Sequence, residues 1–351
     1  MFLNSFNYFR GISILFIVAG HTFWIAHWGI DQKWERFINN MISGSTVLFV
    51  FISGYLFHHI FYPKYNYSDF IRKKLRNIYL PYLILSTILI FYYLHNQSGP
   101  FADYFFNGES GLWNQYLRPA ILYLWNGGVQ PPYWYIPFIL LTFLISPFHV
   151  KFIETDNSII QSTILMILLS ISMILHRPIN NLNPVHAVGH FSSAYFLGIY
   201  CSIHRDKIYN LLQGKEFYLL IPAFGLAAFQ VWRFPTVSLF AKPAFQLAYP
   251  DILFLQKIFL CFFFMVFFHR FENHYYKGLD EIAKSSFAIY FLHCFVIKWV
   301  GMLRRTLGLE YTGNIVIWIV VTIIIVYLSY LLAILIKKIL PNGNSRLIIG
   351  Y

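Results

Sequence analysis

Charged residues are scarce in this sequence. They make up 11% of its 351 residues, whereas soluble domains average about 25%. Hydrophobic residues account for 58% and aromatic residues for 21%, so a soluble fold would have too few polar side chains to cover its surface. The composition excludes a soluble globular enzyme, a disordered chain and a collagen-like fibre. It predicts a polytopic helical membrane protein.

Cysteine is also rare, and the common catalytic and metal-binding motifs are missing. Cys201, Cys261 and Cys294 lie in apolar stretches, and an odd number at irregular spacing predicts neither a disulfide framework nor a zinc site. His186 and His190 are spaced i, i+4 but lack a third ligand at a fixed spacing, so we predict no metal site. The sequence contains no glycine-rich phosphate loop and no GxSxG motif.

Apolar windows long enough to cross a bilayer as a helix, about 20 residues, recur along the whole chain. The sequence predicts an all-α integral membrane fold in which residues 1–351 form a single bundle of about ten transmembrane helices. The predicted spans are 6–28, 41–62, 78–95, 133–150, 158–175, 187–203, 217–234, 251–269, 284–304 and 314–337.

The basic residues between the spans predict the orientation. Fifteen Lys and Arg residues lie in segments on the side of the N-terminus, and eight lie on the other side. This bias predicts that both termini are cytoplasmic. The net charge of +12 is then explained by basic cytoplasmic loops, and we predict no nucleic-acid partner. The longest segment on the other side, 96–132, is predicted to form an interfacial cap.

Acidic side chains are absent from the predicted spans, since all fourteen Asp and Glu residues fall in loops or at span ends. A proton- or sodium-coupled transporter usually needs an intramembrane carboxylate, so this class is disfavoured. Basic side chains do lie inside the spans: Arg10, His21, Lys257, His293 and Lys298. They have no obvious acidic partner, and an anionic ligand could supply the missing charge. For Lys257 and Lys298 we expect instead that the ammonium groups reach the membrane surface.

Arg10 and His21 are predicted to share one face of the first helix. Their spacing corresponds to three turns plus about 20°, with about 16 Å between the side chains along the axis. An arginine at the inner end and a histidine beyond the midplane would suit an elongated anionic ligand that enters from the cytoplasm. In the ninth span, Ser286, Tyr290 and His293 also share one face.

Five segments resemble motifs of the membrane acyltransferase-3 family and occur in that family's order. They are 10–21, with Arg10 and His21; 49–57, with Ser53 and Tyr55; 78–81, after the basic loop; 134–136, with Trp134; and 285–293, with Ser286, Tyr290 and His293. The basic motif departs from the family pattern, because Lys73 stands where the family has an arginine, unless Arg72 takes that role. Many relatives also carry a C-terminal SGNH-type domain, and we expect a standalone form without it here.

The resemblance implies transfer of an acyl group, usually acetyl, from cytosolic acetyl-CoA to a hydroxyl of a carbohydrate or its lipid-linked precursor. Lipopolysaccharide and other bacterial surface polysaccharides are typical acceptors, and the bacterial inner membrane is the implied location. Arg72, Lys73, Lys74 and Arg76 would attract the phosphates of CoA. Arg10 would lie at the mouth, and His21 would be the general base or a transient acyl carrier. The other predicted substrate-binding residues are Ser53, Tyr55, Trp134, Ser286, Tyr290 and His293, with Trp134 stacking on a sugar.

Two other functions remain open from the sequence. A glycan flippase or exporter would explain the spans, but it gives no reason for Arg10 and His21 to share a face. A polyprenyl-glycan polymerase or glycosyltransferase would need carboxylates near the outer surface. Four acids are available for that role: Asp31, Glu35, Asp103 and Glu109.

Overall fold

The computed structural model describes residues 3–235, 239–246, 248–309, 312–340 and 343–351. Within these residues it is helical without β-strands, apart from one isolated bridge between Arg177 and Ala241. The α-helices are α1 (Asn4–Thr22), α2 (Lys33–Ile42), α3 (Thr46–Leu56), α4 (Tyr67–Lys74), α5 (Leu80–Asn96), α6 (Ala102–Phe105), α7 (Arg118–Asn126), α8 (Tyr135–Leu144), α9 (Ser146–Ile153), α10 (Ser158–Leu175), α11 (Pro184–Ile203), α12 (Arg205–Leu212), α13 (Leu220–Arg233), α14 (Ile252–His269), α15 (Lys277–Thr306), α16 (Ile315–Ile339) and α17 (Asn344–Ile349). Shorter π-helical turns cover Phe57–Phe61, Leu75–Tyr79 and Trp113–Leu117, and 3-10 turns cover Tyr62–Lys64, Ile179–Asn181 and Glu216–Leu219. Glu310, one of the acids predicted to lie in a loop, is outside the described residues.

The predicted all-helical membrane fold is confirmed, but the count of ten spans is not. Six helical segments in the described part of the chain are long and apolar enough to cross a membrane: Lys33–Lys64, Tyr67–Asn96, Ser158–Leu175, Ile252–His269, Lys277–Thr306 and Ile315–Ile339. A bent pair, Tyr135–Leu144 with Ser146–Ile153, gives a seventh if it counts as one span. The cytoplasmic location of the termini stays a prediction.

The three remaining predicted spans fall on helices that do not meet this standard. Window 217–234 coincides with α13, which has only 14 residues and is therefore about 21 Å long, shorter than the hydrocarbon core of about 30 Å. Windows 6–28 and 187–203 coincide with α1 and α11, which carry polar side chains such as Asn7 and His190. Both side chains are buried against other helices, so these two helices need not be apolar all round.

The closest helix packing in the bundle joins α3 to α11. A Cβ atom on Gly54 would lie 1.9 Å from the carbonyl oxygen of Tyr195, and one on Gly198 would lie 2.1 Å from that of Phe51. Only glycine permits such an approach of two helix backbones. The Ser53-Gly54 pair seen in the sequence therefore holds α3 against α11 through Gly54.

Two local features set the ends and bends of the helices. The carboxylate of Glu272 accepts hydrogen bonds from the backbone N–H groups of Asn4 (2.8 Å) and Ser5 (3.0 Å), where the α1 dipole favours negative charge. Pro147 is the second residue of α9 and has no N–H to continue the hydrogen-bond ladder of α8. The chain bends there by 55°.

The bundle has two ends, which we define by α1. The near end holds Asn4, and the far end holds Thr22. At the near end, Asn7 of α1 donates to Asp280 at the start of α15 (2.8 Å). At the far end, the hydroxyls of Thr22 and Thr322 lie 2.7 Å apart and join α1 to α16.

Candidate active site

A cavity of about 740 Å³ lies among α1, α3, α8 and α15 and reaches toward both ends of the bundle. Eight of the residues predicted to form the site line it: Arg10, His21, Ser53, Lys73, Lys74, Trp134, Ser286 and Tyr290. These residues come from four helices, α1, α3, α4 and α15, and from the turn before α8. The fold therefore assembles most of the predicted site around one space large enough for a cofactor-sized ligand.

Cations concentrate where the cavity reaches the near end. Lys73, Lys74 and Arg346 line this part together with Asn77. The Lys74 ammonium lies 4.0 Å from the ring centre of Phe61, with two further phenylalanine rings around it. These cation–π contacts hold the charge in place without neutralising it.

Arg10 occupies the cavity wall between the near-end cations and His21. Its Nη2 donates to the side-chain oxygen of Asn7 at 3.0 Å, and Asn7 in turn donates to Asp280. Asp280 also pairs with Lys284 at 2.7 Å. The expectation that Arg10 has no acid nearby is thus corrected: α15 begins at Lys277, earlier than the predicted span 284–304, so buried Asp280 belongs to the bundle. Asn7 lies between the Arg10 guanidinium and the Asp280 carboxylate. The Nε atom of Arg10 is buried without a hydrogen-bond partner among the described residues.

His21 and His293 form a pair across α1 and α15. Their ring centres are 5.4 Å apart. The Nδ1 of His293 lies 2.9 Å from the carbonyl oxygen of Ile289, and because a carbonyl can only accept, Nδ1 carries the hydrogen. The other ring nitrogen, Nε2, then holds a lone pair, and it is buried with no hydrogen-bond partner among the described residues. His21 lines the cavity, whereas His293 lies behind it.

Tyr290, Ser286 and Trp134 complete the wall around the histidine pair. The Tyr290 hydroxyl donates to the carbonyl oxygen of Pro132, which ties α15 to the chain just before α8. Ser286 lies one turn earlier on the same face of α15. The Trp134 ring is stacked against Phe191 at 5.7 Å, so one of its faces is already occupied by protein.

Arg72, Arg76, Tyr55 and His293 do not line the cavity. Arg72 and Arg76 are exposed on α4 and the π-helical turn after it. Tyr55 is buried, and its ring stacks on Phe6 of α1 at 3.7 Å. Helical periodicity explains the difference for α3, since Ser53 and Tyr55 are two residues apart and point about 200° apart around the axis.

The comparison with protein-family models decides the family. The model described as an acyltransferase domain, of the acyltransferase-3 family, matches residues 3–334. The chain belongs to the acyltransferase-3 family. No curated protein and no solved structure matches it.

Two cavity residues of this acyltransferase-3 chain lie beyond the matched range. Arg346 belongs to α17, and Gly350 follows that helix with a left-handed φ of 72°. A Cβ on Gly350 would lie 2.1 Å from the Phe287 ring, so the C-terminal segment packs tightly under α15. In the sequence, Arg346 is one of the fifteen basic residues on the side of the N-terminus and is not among the predicted site residues. No local pattern marks it, because its place at the cavity depends on this packing.

Arg177, Asn180 and Asn181 line the far part of the cavity and were also missed. They follow α10 in a segment that looks like an ordinary loop in the sequence. Asn180 and Asn181 both have left-handed backbone angles, with φ of 51° and 59°, which asparagine tolerates better than most residues. This turn directs the segment toward the cavity.

The expectation that Lys257 reaches the membrane surface is wrong. Its side chain is fully buried, and Nζ donates to the backbone oxygens of Asn40 and Met41 (both 2.8 Å) and to Gln256 Oε1 (2.9 Å). Asn40 and Met41 are in the last turn of α2, where helix carbonyls lack partners and carry partial negative charge. Lys298, in contrast, is exposed on α15, and its reach to the membrane surface stays a prediction.

Proposed function

We propose that this protein transfers an acetyl group from acetyl-CoA to a hydroxyl of a carbohydrate acceptor, such as a bacterial surface polysaccharide or its lipid-linked precursor. The observation that carries the proposal is His21, a histidine on the wall of a cavity that reaches both ends of the bundle. Family membership supports acyl transfer in general. The choice of acetyl, of CoA and of a glycan rests on the cavity and on the resemblance of the motifs.

The donor would enter at the near end, which we assign to the cytoplasm of a bacterial inner membrane. CoA carries several phosphates, and Lys73, Lys74 and Arg346 offer three cations around one opening. Arg10 lies about 16 Å from His21 along the α1 axis, so it cannot touch the same carbonyl group as His21. Its role would be to hold the donor while the pantetheine arm reaches toward His21.

His21 would act as the general base. One ring nitrogen takes the proton of the acceptor hydroxyl while the oxygen attacks the thioester carbonyl. The tetrahedral intermediate then collapses: the carbon–sulfur bond breaks, and the CoA thiolate takes the proton from the His21 imidazolium. The products are the O-acetyl ester and free CoA. His293, with its Nε2 lone pair behind His21, would orient the His21 ring, by direct hydrogen bonding or through a water.

The test compares membranes that carry the intact protein, the His21→Ala variant or a variant lacking the carboxylates of Asp31, Glu35, Asp103 and Glu109. Radiolabelled acetyl-CoA is the donor, and the glycan of the native host is the acceptor. We expect labelled glycan with the intact protein and the carboxylate variant, and none with His21→Ala. Loss of glycan polymerisation in the carboxylate variant, with no label transfer by the intact protein, would instead favour a polymerase. Glycan export without label transfer would favour a flippase.

A further inference from the structure

The far part of the cavity holds a buried arginine that contacts aromatic rings. Arg177 is 7% exposed and lines the cavity. Its guanidinium lies 5.5 Å from the ring centre of Trp134 and 5.6 Å from that of Phe191. It makes no side-chain hydrogen bond or ion pair with any residue in the described part of the chain. Burying an arginine without an acceptor is costly unless a ligand supplies one.

The backbone around Arg177 is fixed. Arg177 N–H donates to the carbonyl oxygen of Phe240 at 3.4 Å, and Lys242 N–H donates to the carbonyl oxygen of Arg177 at 3.1 Å. The segment 239–246 therefore pairs with residue 177, and Leu239 contributes to the cavity wall. The guanidinium is held between this backbone pairing and two aromatic rings. It is preorganised for a ligand in the cavity.

Nearby charges leave an excess of positive charge at the far end. The buried cations there are Arg177, Lys242 and Lys257, and the one buried carboxylate among the described residues of this region is Asp251. Asp251 caps α14 through Phe254 N–H at 2.8 Å, and its other oxygen lies 3.8 Å from His190 Nε2. Burial lowers the pKa of Arg177 to about 10, and Asp251 acts in the opposite direction. Arg177 therefore stays charged at neutral pH.

The same region offers groups that suit sugar hydroxyls. Asn180 and Asn181 line the cavity beside Arg177, and the side-chain oxygen of Asn181 is buried without a partner among the described residues. Amide side chains can both donate to and accept from hydroxyl groups. A guanidinium next to two amides can recognise a carbohydrate that also carries a negative charge.

We propose that Arg177 binds an anionic group of the acceptor, a carboxylate or a phosphate on the carbohydrate, at the far end of the cavity. The site would select acidic or phosphorylated glycans over neutral ones. This inference rests on the proposed function, because it names the class of the acceptor.

The test measures binding of three probes to the full chain in lipid nanodiscs by isothermal titration: glucose, glucuronate and glucose 1-phosphate. CoA is present at saturation so that the near-end cations are occupied. We expect the wild-type protein to bind at least one anionic probe about tenfold to a hundredfold more tightly than glucose. Arg177→Gln should lose this preference. Arg177→Lys should keep part of it, since lysine retains the charge but not the planar fork.

Arg233→Gln is the matched control. Arg233 also lies over two aromatic rings, Phe234 and Tyr249, at 5.1 and 5.3 Å, but it does not line the cavity. Its substitution should leave the preference for anionic probes unchanged. Thermal unfolding of each variant shows whether it is folded. If Arg177→Gln is unfolded, the preference for anionic probes is compared between the wild type and Arg177→Lys instead.

Equal binding of the charged probes and glucose by the wild type would overturn the proposal, as would an unchanged preference in Arg177→Gln. A preference for glucuronate alone supports a carboxylate-bearing acceptor, and one for glucose 1-phosphate alone supports a phosphate-bearing acceptor. Acetyl transfer is measured in parallel. An Arg177-dependent preference without any acetyl transfer would support the anion site and reject the proposed function. Acetyl transfer without the preference for anionic probes would support the proposed function and reject the anion site.

Discussion

Replacing Gly54 by alanine tests whether close packing of α3 on α11 shapes the cavity. The added Cβ would lie 1.9 Å from the Tyr195 carbonyl oxygen, whereas ordinary contact begins near 3.4 Å. The two helices must therefore separate locally by roughly 1.5 Å, because a backbone oxygen cannot rotate away as a side chain can. Overpacking of this kind costs about 1–3 kcal/mol of stability. The shift also moves Ser53, the neighbouring residue on the cavity wall.

A displacement of this size should reduce activity as well as stability. Misplacing a reacting group by about 1 Å can lower the rate about 100-fold. We expect Gly54→Ala to unfold at lower temperature in detergent and to transfer acetyl at least tenfold more slowly per folded molecule. Circular dichroism during heating gives the first quantity, and labelled acetyl transfer at matched protein levels gives the second.

Gly225→Ala is the control for this experiment. Gly225 is in the middle of α13, and a Cβ there would meet nothing within 4 Å. Alanine is favoured over glycine in a helix by about 1 kcal/mol, so Gly225→Ala should be as stable as the wild type or more stable, with unchanged activity. The packing argument is refuted if Gly54→Ala matches Gly225→Ala in both measurements.

Two further predictions concern the cavity. His293→Ala should lower kcat about 10- to 100-fold, because positioning of a general base contributes part of that base's total effect, and should leave the KM for acetyl-CoA unchanged, because His293 does not line the cavity. A change in KM alone would contradict this role. His149→Ala is the control for loss of a buried ring, because His149 is another buried histidine outside the cavity. Arg346→Gln should raise the KM for acetyl-CoA about tenfold and leave kcat unchanged, because it removes one charge-assisted contact with a phosphate. Lys338 is exposed, and Lys338→Gln should change neither KM nor kcat. Initial rates at varied acetyl-CoA concentration measure all four variants, and an unchanged KM in Arg346→Gln would remove this residue from the donor site.

The sequence predicted where helices form better than it predicted where they end. Window 158–175 matches α10, and 251–269 differs from α14 by one residue, because both helices are predominantly apolar and begin at a capping residue, Asn157 or Asp251. The start of α15 was missed by seven residues because its first two turns are polar. That error hid Asp280 and, with it, the link to Arg10.

The pairing of Arg10 with His21 was predictable because one helix carries both residues. Arg10 and His21 line the cavity together, as the periodicity of α1 implied. The pairing of His21 with His293 was not predictable from either helix, since it depends on how α1 packs on α15. Arg177 and Arg346 lie in short segments without periodicity, and only the tertiary fold brings them to the cavity.

The most direct test of the central role of His21 is the rate of acetyl transfer by the purified protein in nanodiscs, measured for the wild type and for His21→Gln. Labelled acetyl-CoA is the donor, and glycan extracted from the host is the acceptor. We predict that the rate per folded molecule falls about 100- to 10,000-fold in His21→Gln, while binding of CoA at the near end is retained. Transfer by His21→Gln at the wild-type rate would contradict the account.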